Sequence, residues 1–427
     1  MAKRSALRYD FLQRGERFPL RLSACLMLII LSMACACSTS HYLTLIKSND
    51  YQRAFAEIQP LAEQGDPKAQ YNLGLMYLNA WGMPADRVKA LKWFRMAAEN
   101  GDVDAQFMLG IMYCEGKGGP KDPPEALKWL TMAAEEGSIK AQSQLGFLYF
   151  QGQCLAQDDI LAEKWYRKAA KKNDVEAQKH LGDIFSRGQG MSQNFKEAIR
   201  WYRKAADQGS VDAQVRLGDL YYSGTGVAKN YAEAIRWYRE AAVQGDTQSR
   251  CALGLMYMNG EGVQQNFTDA AYWFRGAAEQ GNNLAQSFLG YFYDHGLGVP
   301  QDYAEASRWY LLAVEKGDPV IQFSLGQLYA TGRGVSQNYE EAAKWYHKSA
   351  NQGNDRALYN LGILYTKGTG VPKDYKQAYS CFKLAAEQGI EAANTSLDSL
   401  ALQMTPAQIA EAQEMAKAWK QAYGSMN

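Results

Sequence analysis

Apolar and small residues return along this chain in two alternating patterns. The first reads Ala-Gln-x-x-Leu-Gly-x-x-Tyr, as at residues 69–77, and the second reads Glu-Ala-x-x-Trp-Tyr-x-x-Ala-Ala, as at residues 233–242. Both place their recurring side chains three or four positions apart, the spacing of one helix face. The first pattern predicts a helix of about three turns, here called helix A. The second predicts helix B. Between them runs a loop, clearest as Gly-x-Gly-Val at 260–263 and 332–335.

The alternation keeps a period of 36 residues from about residue 51 to residue 389. The Leu-Gly glycines fall at 74, 110, 146, 182, 218, 254, 290, 326 and 362, and tryptophans follow on one beat at 93, 129, 165, 201, 237, 273, 309 and 345. A fixed period of this size is the mark of a solenoid, in which each unit contacts mainly its neighbours. Such repeats build long surfaces rather than enclosed pockets, so the first question is what the chain binds.

The junctions carry helix punctuation. Helix A is preceded by Asp66, Asp102, Ser138, Asp174, Ser210, Asp246, Asn282, Asp318 and Asn354, and helix B by Asp86, Asp122, Asp158, Asn194, Asn230, Asn266, Asp302, Asn338 and Asp374. All are N-cap residues, whose short side-chain oxygen accepts from an orphan backbone N–H. Seven of the nine B caps are followed three residues later by Glu, Asp or Gln, a capping-box arrangement. A glycine precedes each A cap except at Asn173, and asparagine is the next best residue for a left-handed helix end. Inside helix A a glycine costs roughly 1 kcal/mol relative to alanine. Nine of them in phase predict close helix contact that offsets the loss, with Leu, Tyr and the Trp-aromatic pair of helix B filling the core.

Taken together, these residues resemble Sel1-like repeats, the 36-residue relatives of the tetratricopeptide repeat. The resemblance covers nine repeats, residues 66–389. It implies an all-α, right-handed α-solenoid superhelix of helix-turn-helix units acting as an adaptor or scaffold, with no catalytic residue to carry over. Similar bacterial proteins are often exported and take part in envelope or host-contact processes. A cysteine-rich secreted subfamily staples each hairpin with a disulfide and has been associated with β-lactam binding or hydrolysis. Here Cys114, Cys154, Cys251 and Cys381 lie in four different repeats and off any common phase. Regular stapling is therefore not expected, and mostly free buried thiols are.

The ends set the compartment. Residues 1–22 carry six basic side chains against Asp10 and Glu16, and an apolar run follows from about Ala24 to Ala36. That run is shorter than the ~20 residues a bilayer span needs. Residues 1–37 thus read as a signal peptide, a lipoprotein signal or a short anchor. A small residue precedes both Cys35 and Cys37, which resembles a lipoprotein box with either cysteine as the lipidation site. A periplasm-facing outer-membrane lipoprotein is expected, with a periplasmic, secreted or inner-membrane-anchored protein as the alternatives. Residues 38–50 read as linker, 51–65 as an N-terminal capping helix and 390–427 as C-terminal capping helices. Thr405-Pro406-x-Gln408 starts the last of these. Formal net charge is +1. Setting aside the first 22 residues leaves 40 basic against 43 acidic side chains, which gives no footprint for nucleic acid.

Candidate binding residues are those that vary while the frame repeats. On helix A they occupy three positions of one face, which lines the concave wall in related solenoids. They are Tyr71, Leu75 and Leu78, then Phe107 and Ile111, then Phe147 and Phe150. Further on come Lys179 and Asp183, Asp219 and Tyr222, Leu255 and Met258, Tyr291 and Asp294, Gln327 and Ile363. The face is aromatic and aliphatic in the first repeats and mixed or acidic in the middle. It suggests a groove for a peptide or a helix of a partner protein, or residues that simply pack against the next helix A. The Lys and Arg beside the helix-B tryptophans read as a solvated outer face, with Glu197–Arg200 and Glu305–Arg308 as helix-supporting pairs. The four histidines are scattered, no Cys/His spacing reads as zinc, and no phosphate-binding loop is present. No cofactor, no metal and no catalytic residue are expected. The chain reads as a monomeric protein-binding scaffold of the cell envelope. The alternatives are a secreted β-lactam-binding or hydrolysing enzyme and a host-directed virulence factor.

Overall fold

The computed structural model describes residues 41–190, 192–314 and 317–424. Those residues form helices and connecting turns, without a strand among them. Two compact units divide the chain, Met1–Lys204 and Ala205–Asn427. In the first, α1 (41–47) and α2 (Tyr51–Glu63) precede three full hairpins: α3 (Pro67–Asn79) with α4 (Arg87–Glu99), α5 (Val103–Glu115) with α6 (Pro123–Glu135), and α7 (Ile139–Gln151) with α8 (Asp159–Lys171). A fourth hairpin pairs α9 (Val175–Arg187) with α10 (Phe195–Ala206), whose last turn reaches the unit boundary.

The second unit holds five hairpins. They are α11 (Val211–Ser223) with α12 (Tyr231–Val243), α13 (Thr247–Asn259) with α14 (Phe267–Ala278), α15 (Asn283–His295) with α16 (Tyr303–Ala313), α17 (Pro319–Thr331) with α18 (Tyr339–Ala350), and α19 (Asp355–Lys367) with α20 (Tyr375–Glu387). Two terminal helices follow, α21 (Glu391–Ala401) and α22 (Pro406–Gly424). Each unit is therefore an all-α solenoid of helix pairs. Signal-type residues 1–37, with Cys35 and Cys37, lie outside the described residues. Residues 41–47, within the stretch expected as linker, are helical, and Tyr42 is fully buried under α2.

The caps act as their residue types dictate. Asp66 accepts from the Ala69 N–H at 2.7 Å, Asp102 from Ala105 at 2.8 Å and Asp174 from Ala177 at 2.7 Å. On the B side, Asn230 accepts from Glu233 and Asn338 from Glu341, both at 3.1 Å. Asn173 takes φ +65°, the left-handed value expected of it. At the last helix the box is reciprocal: Thr405 N–H donates to Gln408 Oε1 at 2.9 Å and Gln408 N–H to Thr405 Oγ1 at 3.3 Å.

The in-phase glycines are contact points. A Cβ built on Gly182 would sit 2.4 Å from the Tyr202 ring, one on Gly218 2.5 Å from Tyr238, and one on Gly254 2.6 Å from Phe274. The contact always belongs to the residue after the helix-B tryptophan position, twenty residues on: a Phe or Tyr ring in eight repeats and Leu130 opposite Gly110. The tryptophans are core: 129, 165, 201, 237 and 309 are buried, and 93, 273 and 345 half-buried.

Hairpin joins hairpin through two polar contacts. In five repeats the glutamine of the Ala-Gln pair is buried and donates to a carbonyl near the end of the preceding helix B. Gln70 reaches Ala62 at 3.0 Å, Gln142 reaches Ala134 at 2.8 Å and Gln286 reaches Ala278 at 3.1 Å. Helix C-termini leave such carbonyls without intrahelical partners. Arg250 stands in the glutamine slot and serves the same carbonyl, its Nε donating to Ala242 O at 3.1 Å. The second contact runs from helix B to the next helix A. Arg239 donates to the Tyr257 hydroxyl at 2.7 Å, and Arg95 and Arg275 to Tyr113 and Tyr293. Several helix-B arginines thus join repeats.

One expectation is overturned. Cys114 and Cys154 are bonded, with Cα atoms 5.5 Å apart, while Cys251 and Cys381 are free and buried. The reason is arithmetic. The two cysteines are 40 residues apart, one 36-residue repeat plus about one helical turn, so the tail of α5 meets the loop after α7.

Candidate functional site

The variable helix-A positions form the candidate site, and each unit presents its own set. In the first unit the side chains of Tyr71, Leu75, Phe107, Ile111, Phe147 and Phe150 are all half-buried. They sit where the helix geometry puts one large side chain per turn beside the next helix A. Phe107, Ile111 and Phe147 share an apolar cluster with Cys114 and Cys154, and Tyr71 and Leu75 belong to the cluster before it. The Tyr71 ring lies 5.7 Å from that of Phe94. Burial, with Asp104 and Asp102 nearby, pushes its phenol up to about 12. These residues therefore pack and expose at once, offering ridges of apolar surface.

At the end of that row the candidate Asp183 joins His180, a histidine the sequence reading did not single out. His180 stacks on Tyr166 at 4.9 Å and meets Phe150 at 5.7 Å and Phe147 at 6.4 Å. Its Nδ1 lies 3.7 Å from Asp183. Tyr202 donates to Asp183 at 2.7 Å. Burial works to raise the Asp183 carboxyl, but the contacts from His180 and Tyr202 outweigh it and hold it below the ordinary carboxylate range. A histidine three residues before a carboxylate on a helix is the signal that could have found this group.

In the second unit the candidate residues divide. Met258 is half-buried beside Leu255. Asp219 is exposed and accepts from Tyr238 at 2.8 Å. Tyr222 donates to Glu261 at 3.0 Å and lies against the Tyr231 ring at 5.5 Å. The Tyr291 ring lies 4.2 Å from that of His295 at a tilt of 33°, and Asp294 accepts from Tyr310 at 3.4 Å. Burial dominates at Asp294 and raises its carboxyl, with His295, Tyr310 and Arg333 opposing. Asp183 of the first unit and Asp219 and Asp294 of the second are thus each engaged by a tyrosine of their own hairpin.

Among the described residues no group of three or more His, Cys, Asp or Glu could hold a metal ion, and no helix is long and apolar enough to cross a membrane.

A family model for the Sel1 repeat matches nine consecutive segments: 67–102, 103–138, 139–174, 175–210, 211–246, 247–282, 283–318, 321–354 and 355–390. The chain belongs to the Sel1 repeat family. Solved structures agree. It is similar to c5321, a protective antigen present in uropathogenic Escherichia coli strains displaying an SLR fold. Identity is 32%, with 87% of this chain and 89% of that chain covered, at a TM-score of 0.55. It is also similar to a Sel1 repeat protein from Oxalobacter formigenes, at 32% identity over 73% of this chain and 90% of that chain, with a TM-score of 0.52. No curated protein sequence matches. Sel1 and related tetratricopeptide-like repeats commonly mediate protein–protein interaction, and the scaffold is generally non-catalytic.

Proposed function

We propose that this Sel1 repeat protein is a scaffold of the bacterial cell envelope, exported and lipid-anchored through Cys35 or Cys37. On this reading it docks an apolar peptide segment or helix of a partner protein on the helix-A face of its first unit. The observation that carries the docking reading is the set of half-buried apolar side chains Tyr71, Leu75, Phe107, Ile111, Phe147 and Phe150 on successive A helices. Partly exposed apolar rows with polar rims are the usual anchors for an amphipathic partner. Export is supported by the Cys114–Cys154 disulfide, because disulfides persist in oxidising compartments. The description of c5321 as a protective antigen is consistent with export.

A photo-activated cross-linker placed at position 107 or 111 tests the docking reading in intact cells. It should capture one envelope protein that a cross-linker at Glu240, an exposed helix-B position, does not. Equal capture from both positions would count against a helix-A site. Mass spectrometry of the mature N-terminus should find a lipid-modified cysteine at 35 or 37. An unmodified chain starting elsewhere would remove the anchor.

A further inference from the structure

The third repeat departs from the other eight at one point. In each of the others, the second loop glycine takes a left-handed conformation, with φ between 65° and 85°. A Cβ there would collide with the start of the preceding helix B, lying 2.1–2.3 Å from its atoms at Gly118, Gly262, Gly298, Gly334 and Gly370. In the third repeat this residue is Cys154, and it keeps the left-handed conformation at φ +66°. A side chain with a Cβ is disfavoured there. The local backbone also differs. Elsewhere the residue after the helix-A C-cap donates to the carbonyl five back, as Lys117 does to Met112 and Glu261 to Met256, both at 2.9 Å. In the third repeat Leu155 N–H instead donates to Gln153 O at 2.7 Å, a tight turn centred on Cys154. Its partner Cys114 sits in the last turn of α5, on the helix-A face.

We propose that the Cys114–Cys154 bond is a redox-controlled clamp. It holds the loop of the third repeat against the tail of α5 and so fixes the junction of the second and third repeats. Both sulfurs belong to the cluster that contains Phe107, Ile111 and Phe147. The clamp therefore also sets the face assigned above to docking, and this last step alone rests on that reading. The bond forms by exchange with a disulfide-bonded oxidant. One cysteine thiolate attacks the oxidant's disulfide and expels one of its sulfurs as a thiolate, which takes up the proton the cysteine lost. The second thiolate then attacks the mixed disulfide and expels the other. Two protons and two electrons leave the cysteines, and the oxidant ends as a dithiol. Among the described cysteines, Cys251 and Cys381 are buried and free, so mild reduction of this region acts on one bond.

The test uses the full-length chain purified from an oxidising compartment. Peptide mapping without reductant should find tryptic peptides 96–117 and 141–164 joined. Hydrogen exchange over residues 145–158 should then be slowest in the oxidised protein. It should be intermediate in C154G, which restores the glycine of the other repeats. It should be fastest in C154S and in the reduced wild type, at least tenfold above the oxidised form. No partner is needed for this readout, so its failure is distinct from failure of the docking reading. Unlinked peptides, exchange within twofold between oxidised and reduced protein, or C154G as protected as the oxidised chain would each overturn the clamp.

Discussion

One glycine per repeat governs how closely the two helices of a hairpin approach. Alanine at such a site gains about 1 kcal/mol of helix propensity. At Gly218, however, the new methyl would lie 2.5 Å from the Tyr238 ring, and overpacking a core typically costs about 1–3 kcal/mol. G218A is therefore expected to lower the urea midpoint, and a raised midpoint would mean the ring yields freely. A second residue-scale prediction concerns the buried glutamines. Q178L removes the bond that Gln178 makes to the Ala170 carbonyl at 3.2 Å and leaves that oxygen the Asn173 N–H at 3.1 Å. The loss of one buried hydrogen bond costs about 0.5–1.5 kcal/mol, which denaturant unfolding would measure. The need for close contact at the glycines was legible in their phase, because a helix has no other reason to keep them. The role of the glutamines was not. Their partner lies eight residues back in another helix, and periodicity carries no information about hydrogen bonds between helices.

At the scale of elements, the C-terminal cap makes a pH prediction. Helix α22 packs on α20, burying Ala412 and Ala416, and Ser380 Oγ donates to Ala412 O at 2.7 Å. Its Trp419 stacks on His347 of α18 at 6.0 Å, and His347 Nε2 lies 2.7 Å from the Tyr365 hydroxyl. Burial holds the imidazole below its ordinary value of 6.5. The unfolded chain thus takes up the proton first. Stability from this group is complete above about pH 6.5 and is lost as the pH falls through the lower folded value. Thermal melting of the wild type should decline from pH 7 to pH 5 more steeply than that of H347Q, and parallel curves would contradict it. The hairpin helices themselves were legible from caps and glycines, since each boundary is written in side chains that bond the backbone locally. Helix α1 was not, because residues 41–47 carry no Leu-Gly phase, and Tyr42 is fixed by burial beneath α2 rather than by a repeat signature.

For the whole molecule, nine Sel1 repeats supply a frame whose constant residues serve packing, while other helix-A positions vary from repeat to repeat. The candidate face was only partly readable in advance. Half-burial of Phe107, Ile111 and Phe147 follows from their place between neighbouring A helices. The tyrosine bonds that occupy Asp183, Asp219 and Asp294 depend on a hydroxyl from another helix, which no spacing along helix A reports. The same limit hid the disulfide: Cys114 and Cys154 share no phase, and only the sum of one period and one turn brings them together. The account stands on docking through the apolar rows of the first unit. The most direct measurement is the affinity of the cross-linked partner for the wild-type chain and for F107D/F147D, with circular dichroism confirming that both are folded. The predicted result is binding at least tenfold weaker in the variant, roughly the 1.4 kcal/mol that a tenfold change represents. Equal affinity in a folded variant would contradict it.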